Sequence, residues 1–330
     1  MTYDFLAIGD VVTDAFIRIP KESAEVIGTD HQKLCLEYGS KVPFERAYIV
    51  PAVGNSANAA VAASRLGLKT ALVSNVGHDM QGREIIETLK KEKIDTRFIH
   101  VNADKISNYH YVLWYQDDRT ILIRHEEYNY TLPAIGEPRW LYLSSAGHNS
   151  LPFHNEITAY IKAHPSIKLV LQPGTFQMKF GVDKLKELYA HTELFFCNRE
   201  EAQLILETND DDIAKLTSGV RSLGPKIVVV TDGKEGAYVL ADGVLWFMPP
   251  YPDPKPPYER TGAGDAFSST FAATLALGHS IEDAMRWAPI NSMSVVQYVG
   301  AQQGLLDEQA LRGFLAEAPS DYKPKRMKEL

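Results

Sequence analysis

A chain of 330 residues with 45% hydrophobic side chains is long enough to bury one large core or two modest ones, and too apolar to be disordered. A net charge of −8, with lysine and arginine scattered along the chain, gives no general attraction to nucleic acid, and the only cysteines, Cys35 and Cys197, cannot build a disulfide framework or a Cys-rich zinc site. No apolar run approaches membrane-spanning length and the N-terminus lacks the basic and apolar regions of a signal peptide, so a cytoplasmic protein without membrane contact is expected.

In chain order, "DFLAIG" reads as a strand, "GNSANAAVAASRLG" as a helix closed by Gly67, "KTALVSNVG" as a strand and "DMQGREIIETLKKEK" as a helix. The alternation resumes with "WLYLSS", a helix from about Pro152 to His164, "IKLVLQP", a helix near Asp183 to Ala190, and "ELFFCN". Helices across "REEAQLILE" and "DDIAKLTSGVRSLG" then lead to "KIVVVTDG". Such βα alternation implies a mostly parallel sheet covered by helices on both faces.

Two regions, about 16–50 and 97–127, break the rhythm. Rich in β-branched and aromatic residues, they read as antiparallel strands, with "QDDRT" turning a hairpin, that would form a small β lid over one edge of the sheet. A sheet extension that only packs fits the pattern nearly as well. Residues 248–258, "MPPYPDPKPPY", cannot form a helix and are expected to be an extended connector. A single domain over 1–310 with a C-terminal tail over 311–330 is expected.

The connector ends at "ERTGAGDAFSSTFAATLALG". Gly262, Ala263 and Gly264 at the head of an apolar helix would present free N–H groups to an anion, and Asp265 follows in the first turn, where the helix dipole favours a carboxylate. Alone, this reads more readily as a helix cap. Its functional reading is an amide cradle for a transferring phosphoryl group beside a base for an attacking hydroxyl. The dinucleotide fingerprint fails because Phe267 stands where its third glycine belongs, and no GxxxxGK[ST] segment occurs. In "VGNSANAAVAASRLG", Gly54 precedes a helix whose first turns carry Asn55 and Asn58, amides suited to sugar hydroxyls but equally to capping.

Taken in order, "FLAIGDVVTDAF", "VGNSANAAVAASRLGLKTALVSNVGHDMQG", "FFCNREEAQLI", "VVVTDGKEGAYV", "RTGAGDAFSSTFAATLALG" and "VGAQQG" resemble the ribokinase (PfkB-type) family of carbohydrate and nucleoside kinases, over nearly the whole length from Phe5 to about Gly304. The resemblance implies an α/β fold, a three-layer α/β/α sandwich with a mostly parallel central sheet and a small β-sheet lid. It also implies ATP-dependent phosphorylation of a hydroxymethyl group of a sugar or nucleoside. By motif, Asp265 is the expected base and the amides of Gly262, Ala263 and Gly264 the anion hole; Asp14, Gly54, Asn55 and Asn58 form the acceptor site. Asn198 and Glu201 would organise Mg²⁺ around the ATP phosphates, while Thr231, Gly233 and Gly236 form the nucleotide turn. Asn291 is a weaker candidate for the adenine pocket.

Two departures stand out: Glu259 and Arg260 replace the usual Asp-Thr opening of the signature, and Val53 replaces the first glycine of Gly-Gly-Asn. The charge of Arg260 puts activation by K⁺ in question where many members bind a monovalent cation. Lid-mediated dimers are common in the family, and Tyr109, Tyr111, Trp114 and Tyr115 would suit a homodimer through the lid, the substrate, or the core. The alternative function is a catalytically silent sugar- or nucleoside-binding regulator on the same fold.

Overall fold

Alternate residues of the first strand, β1 (Phe5–Ile8), enter opposite cores, Phe5 and Ala7 on one face and Leu6 and Ile8 on the other, so both faces of the sheet are covered. A computed structural model describes residues 2–29, 32–116 and 118–329. After β1 come β2 (Val12–Ile19), a short ribbon of β3 (Glu25–Ile27) and β4 (Lys33–Cys35), β5 (Arg46–Val53) and α1 (Asn55–Arg65). The chain continues through β6 (Thr70–Gly77), α2 (Met80–Lys91), β7 (Ile99–Asn102), β8 (Asn108–Tyr115), β9 (Asp118–Arg124), β10 (Trp140–Leu143) and α3 (Leu151–Ala163). Next are β11 (Lys168–Leu171), α4 (Thr175–Phe180), α5 (Val182–Ala190), β12 (Thr192–Asn198), α6 (Arg199–Ile205) and α7 (Ile213–Ser222). The last elements are β13 (Ile227–Thr231), β14 (Ala237–Ala241), β15 (Val244–Met248), α8 (Ala263–Ala276), α9 (Ile281–Val295), α10 (Glu308–Ala316) and β16 (Lys325–Glu329).

The central sheet has ten strands in the order β16-β15-β14-β13-β12-β11-β10-β1-β6-β7. Its members from β13 to β7 run parallel, and β14, β15 and β16 extend it antiparallel. Helices α1, α2, α8, α9 and α10 contribute to the core on one face, and α3, α5, α6 and α7 to that on the other. This is the three-layer α/β/α sandwich of the ribokinase-like fold.

A second sheet, ordered β5-β2-β8-β9, forms the small β layer, with Phe16, Val112 and Trp114 in its own core. Three expectations change here. Strand β7, inside the 97–127 region, joins the central sheet beside β6, because β6-α2-β7 is a further crossover unit. Strands β2 and β8 pair in parallel rather than antiparallel, and β2 begins at Val12, which brings Asp14 onto the small sheet. Strands β8 and β9 do form an antiparallel hairpin; Asp117 of its "QDDRT" turn lies outside the described residues.

Residues 311–330 are not simply a tail. They contain most of α10 and the edge strand β16, and Tyr322 is buried, its hydroxyl donating to the Arg286 carbonyl at 2.6 Å and its ring packed edge-on against Tyr251. Helix α4 escapes the periodicity because it is a six-residue piece between Gly174 and Gly181. The Pro-rich connector carries no helix or strand between β15 and α8.

Candidate active site

The parallel strands direct their carboxyl ends toward one crevice, the usual place for ligands in such sheets. Gly9 and Asp10 follow β1, Gln172 follows β11, Asn198 ends β12 and Thr231 ends β13. Helix α8 enters from above. Its partner α1 is lined with alanine, and Ala266, Ala272 and Ala273 line α8, so both are buried together beneath the N-terminal turns that carry Asn55 and Asp265.

Asp265 accepts three amide N–H bonds: from Asn58 Nδ2 at 2.7 Å, Asn55 Nδ2 at 3.0 Å and Gln172 Nε2 at 3.1 Å. Two of these amides, those of Asn58 and Gln172, are themselves oriented. Gln302 Nε2 donates to Asn58 Oδ1 at 2.9 Å and to the Ala52 carbonyl at 2.7 Å, which leaves Asn58 Nδ2 for Asp265. The buried hydroxyl of Tyr142 donates to Gln172 Oε1 and turns Gln172 Nε2 the same way. Burial pushes the Asp265 carboxyl above the usual aspartate range, the Asn58 and Gln172 bonds pull it back, and the charge of Asp14 raises it further.

Asn55 and Asn58, expected at the acceptor, each direct an amide N–H to the Asp265 carboxylate; Asn58 is 3% exposed with its Oδ1 also engaged, while Asn55 lines a polar cavity beside Asp265. Gly54 precedes them at the N-cap of α1. Gln172 and Gln302 were not singled out from sequence. A polar residue closing the buried strand "IKLVLQP" was the available signal for Gln172.

Among the described residues, no side chain or neighbouring carbonyl accepts from the amides of Ala263, Gly264 or Asp265, as the first turn of a helix leaves them. They face a polar cavity of about 270 Å³ whose walls include Asp265, Asn198, Glu201, Arg119 and Arg260. A neighbouring, more apolar cavity of about 320 Å³ shares Thr231, Arg260, Ala263 and Gly264 with it and takes in Gly233, Gly236, the connector prolines and Ser292. The connector is therefore a wall of this cavity, which its sequence did not foretell. Asn291 lies outside it, fully buried with Nδ2 donating to Thr270 Oγ1 and Oδ1 accepting from Leu306 N.

Asn198 and Glu201 form a reciprocal cap on α6, Asn198 Oδ1 accepting from Glu201 N at 2.7 Å and Glu201 Oε2 from Asn198 N at 2.8 Å. Burial, and then the charge of Asp265, raise the Glu201 carboxyl above its usual range. Thr231, Gly233 and Gly236 occupy a hairpin turn closed by Asp232 N donating to the Gly236 carbonyl at 2.8 Å.

Beneath the small sheet, Asp14 is 8% exposed and its Oδ1 has no aligned hydrogen-bond donor, though His110 Nδ1 approaches to 3.2 Å. His110 Nε2 stands 3.2 Å from His125 Nε2, and His125 Nδ1 stands 3.1 Å from Asp10 Oδ2. Neither histidine was singled out from sequence. Trp114 and Tyr115 are buried in the small sheet, with Arg18 stacked over Trp114 at 4.4 Å, while Tyr109 and Tyr111 line an outer groove.

The sequence model of pfkB family carbohydrate kinases matches residues 45–308. The chain belongs to the pfkB family. Among relatives of this pfkB kinase, the nucleoside kinase of Methanothermobacter thermautotrophicus is 26% identical over 272 residues, 80% of this chain and 84% of its own. The ribokinase of Bacillus subtilis is 29% identical over 261 residues, 76% and 83% of the two chains. Among solved structures, Arabidopsis thaliana ribokinase complexed with ribose and ATP matches 96% of this chain and 99% of its own with a TM-score of 0.77 at 19% identity. The Methanocaldococcus jannaschii nucleoside kinase matches 95% and 98% with a TM-score of 0.74 at 17% identity. This pfkB protein is accordingly a kinase with the sugar or nucleoside chemistry of the ribokinase family.

Proposed function

We propose that the protein transfers the γ-phosphoryl group of ATP to a hydroxymethyl group of a sugar or nucleoside, with Asp265 as base. The observation that carries this reading is the Asp265 carboxylate, held by three fixed amides at the edge of a cavity whose other wall is the open first turn of α8. Asp265 takes the proton of the attacking hydroxyl, and the amides of Gly262, Ala263 and Gly264 receive the developing charge on the phosphoryl oxygens. Arg119, from the lid hairpin, and Arg260 add the cationic groups lining that cavity. Asp14, buried with its Oδ1 lacking an aligned donor, suits an acceptor hydroxyl that donates to it. Closure of the small sheet excludes water as a competing acceptor. A coupled ADP-release assay with Mg-ATP across D-ribose, D-fructose, adenosine and inosine tests the reading; no turnover with any sugar or nucleoside would leave only the binding regulator.

Gly264 separates the two roles of the first turn. A Cβ there would meet nothing, so packing does not demand glycine. Gly264→Ala is expected to raise stability by about 0.5–1 kcal/mol and to lower kcat/KM for ATP, as the methyl group occupies the anion's approach. Denaturant melts and ATP titrations check both signs.

Mg²⁺ fits Glu201 and Asn198: a carboxyl raised by burial and by Asp265 is one that a divalent cation would relieve, and Mg²⁺ commonly takes one or two protein carboxylates together with phosphates. Bound there, it neutralises charge on the ATP phosphates. Among the described residues no group of three acidic, His or Cys side chains forms a metal cage. K⁺ fits Glu259, which is buried without a lysine or arginine partner among the described residues. Its Oε1 accepts from Thr261 N and Oγ1, while Oε2 keeps only a 3.4 Å contact from Gly300 N. Arg260 is exposed and lines the two cavities rather than pairing with Glu259. Activity in KCl is expected to exceed that in choline chloride, and Glu259→Gln to remove the difference.

A homodimer through the lid is the expected assembly. Strand register aligns Ile49, Tyr111 and Leu122 across the face opposite Asp14 and His110, and all three are about half exposed. Leu122→Glu should halve the solution mass by sedimentation; an unchanged mass would remove this assignment.

A further inference from the structure

We propose that His110 and His125 are positioning residues that act as one unit: they share a proton, hold the acceptor carboxylate of Asp14, and fasten the small sheet to the end of β1. The inference rests on Asp14 facing the acceptor, and the test below separates the two.

The sequence places these four residues far apart, and the fold joins them in a row. Asp14 and His110 are directly paired across the parallel strands β2 and β8, so their side chains leave the same face. His125 lies just beyond β9, which pairs with β8, and Asp10 just beyond β1 in the central sheet. The contacts run Asp14 Oδ1 to His110 Nδ1 at 3.2 Å, His110 Nε2 to His125 Nε2 at 3.2 Å, and His125 Nδ1 to Asp10 Oδ2 at 3.1 Å. Side-chain exposures along that row are 12%, 14%, 12% and 3%.

Protons can be counted from this geometry. Each outer Nδ1 faces a carboxylate oxygen, where a lone pair would be repelled, so each carries a proton. Two facing Nε2 atoms at hydrogen-bond distance need one further proton between them, since two lone pairs or two N–H groups would repel. Three protons on two rings make one imidazolium charge, shared between two carboxylates. None of the other groups facing the row replaces it. The Tyr130 hydroxyl donates to Asp10 and burial keeps it protonated; Tyr128, also near Asp10, is likewise raised by burial. His154, near Asp10 from α3, is lowered by burial, which disfavours its charged form. His148 is paired with Glu127 at 3.0 Å and meets the row only through Phe176, and Asp265 adds a further negative charge near Asp14. No lysine or arginine pairs with Asp10 or Asp14 among the described residues.

Loss of the shared proton sets the two Nε2 lone pairs against each other, frees His110, and leaves Asp14 without the cationic ring beside it. Acceptor binding should weaken in one proton step as pH rises, while ATP, bound on the far side of Asp265, should not follow. His125→Asn keeps a donor where Nδ1 bonds Asp10 but removes Nε2, and so separates the shared proton from the structural bond; His110→Gln removes the contact to Asp14 and keeps an amide near the other nitrogen.

The experiment has two arms. Nitrogen-15 NMR of the ligand-free, histidine-labelled protein is expected to find both Nδ1 atoms protonated with a single proton between the Nε2 atoms; two neutral rings without that proton would overturn the proposal. Steady-state kinetics against pH, with the best acceptor of the sugar and nucleoside panel, are expected to show an alkaline rise in acceptor KM at constant ATP KM. In His125→Asn and His110→Gln the acceptor KM should rise about tenfold, as for loss of one charged hydrogen bond, and its pH step should vanish. If Asp14→Asn raises acceptor KM while both histidine variants keep the wild-type KM and pH profile, the proposal fails. If Asp14→Asn leaves acceptor KM unchanged, the acceptor assignment of Asp14 fails, and the NMR arm still decides whether the proton is shared.

Discussion

Asp265→Asn is expected to lower kcat by ~10²–10⁴-fold, the usual cost of removing a positioned base, with little change in ATP KM. The side chain touches no group that holds the nucleotide turn; its partners are the amides of Asn55, Asn58 and Gln172. Those amides keep the oxygens aimed at the cavity, and burial with the nearby Asp14 raises the carboxyl above the usual range. The sign for pH follows directly. A base works deprotonated, so kcat should fall as pH drops through the raised Asp265 value, and this acid limb should lie above the ordinary aspartate value of about 3.9. Gln172→Met and Asn58→Leu remove bonds that favour the ionised form, so each should move the limb to higher pH. An Asp265→Asn variant with wild-type kcat, or an acid limb unmoved in both amide variants, would remove Asp265 from the base role.

The βα alternation made the central layer legible because buried parallel strands are short apolar runs and their covering helices carry a 3.6-residue period. Asp265, Asn198 and Glu201 were legible for another reason: each sits within a contiguous segment, with its glycine or cap neighbours beside it in sequence. What stayed hidden depends on contacts between distant segments. Gln172 and Gln302 meet Asp265 and Asn58 only after β11, α1, α8 and the loop after α9 are packed together, and a polar residue closing a buried strand or standing in a loop does not say what it will face. The row from Asp14 to Asp10 exists only because β2 and β8 pair in parallel, a pairing that hairpin signals could not indicate. The same limit explains Asn55 and Asn58: their spacing put both amides near one helix end, but only the position of α8 shows what they face. Residues 311–330 read as a tail because strand β16 is exposed on every residue and so lacks the alternation that identifies a half-buried strand.

Gly262→Ala is expected to destabilise the fold by about 2–4 kcal/mol and to reduce kcat more than stability alone would explain. Gly262 has φ +85°, a left-handed conformation that a Cβ disfavours. A Cβ built there would also stand 2.3 Å from the Ala301 Cβ and 2.5 Å from its Cα, so either the start of α8 or the Ala301 backbone must move. Both displacements reach the chemistry. A shift of α8 moves the amides of Ala263 and Gly264; a shift of Ala301 moves Gln302, which holds Asn58, which in turn holds Asp265. Ala301→Gly removes only the methyl contact. In the Gly262→Ala background it should recover part of the lost stability, leaving the backbone strain and the 2.5 Å approach to the Ala301 Cα, so that the double-mutant cycle isolates the methyl contact. Urea melts and kcat for all four members of the cycle give the answer; additive effects would mean that Gly262 and Ala301 do not meet, and a Gly262→Ala protein with wild-type stability and turnover would mean that the turn before α8 does not set the position of the cradle.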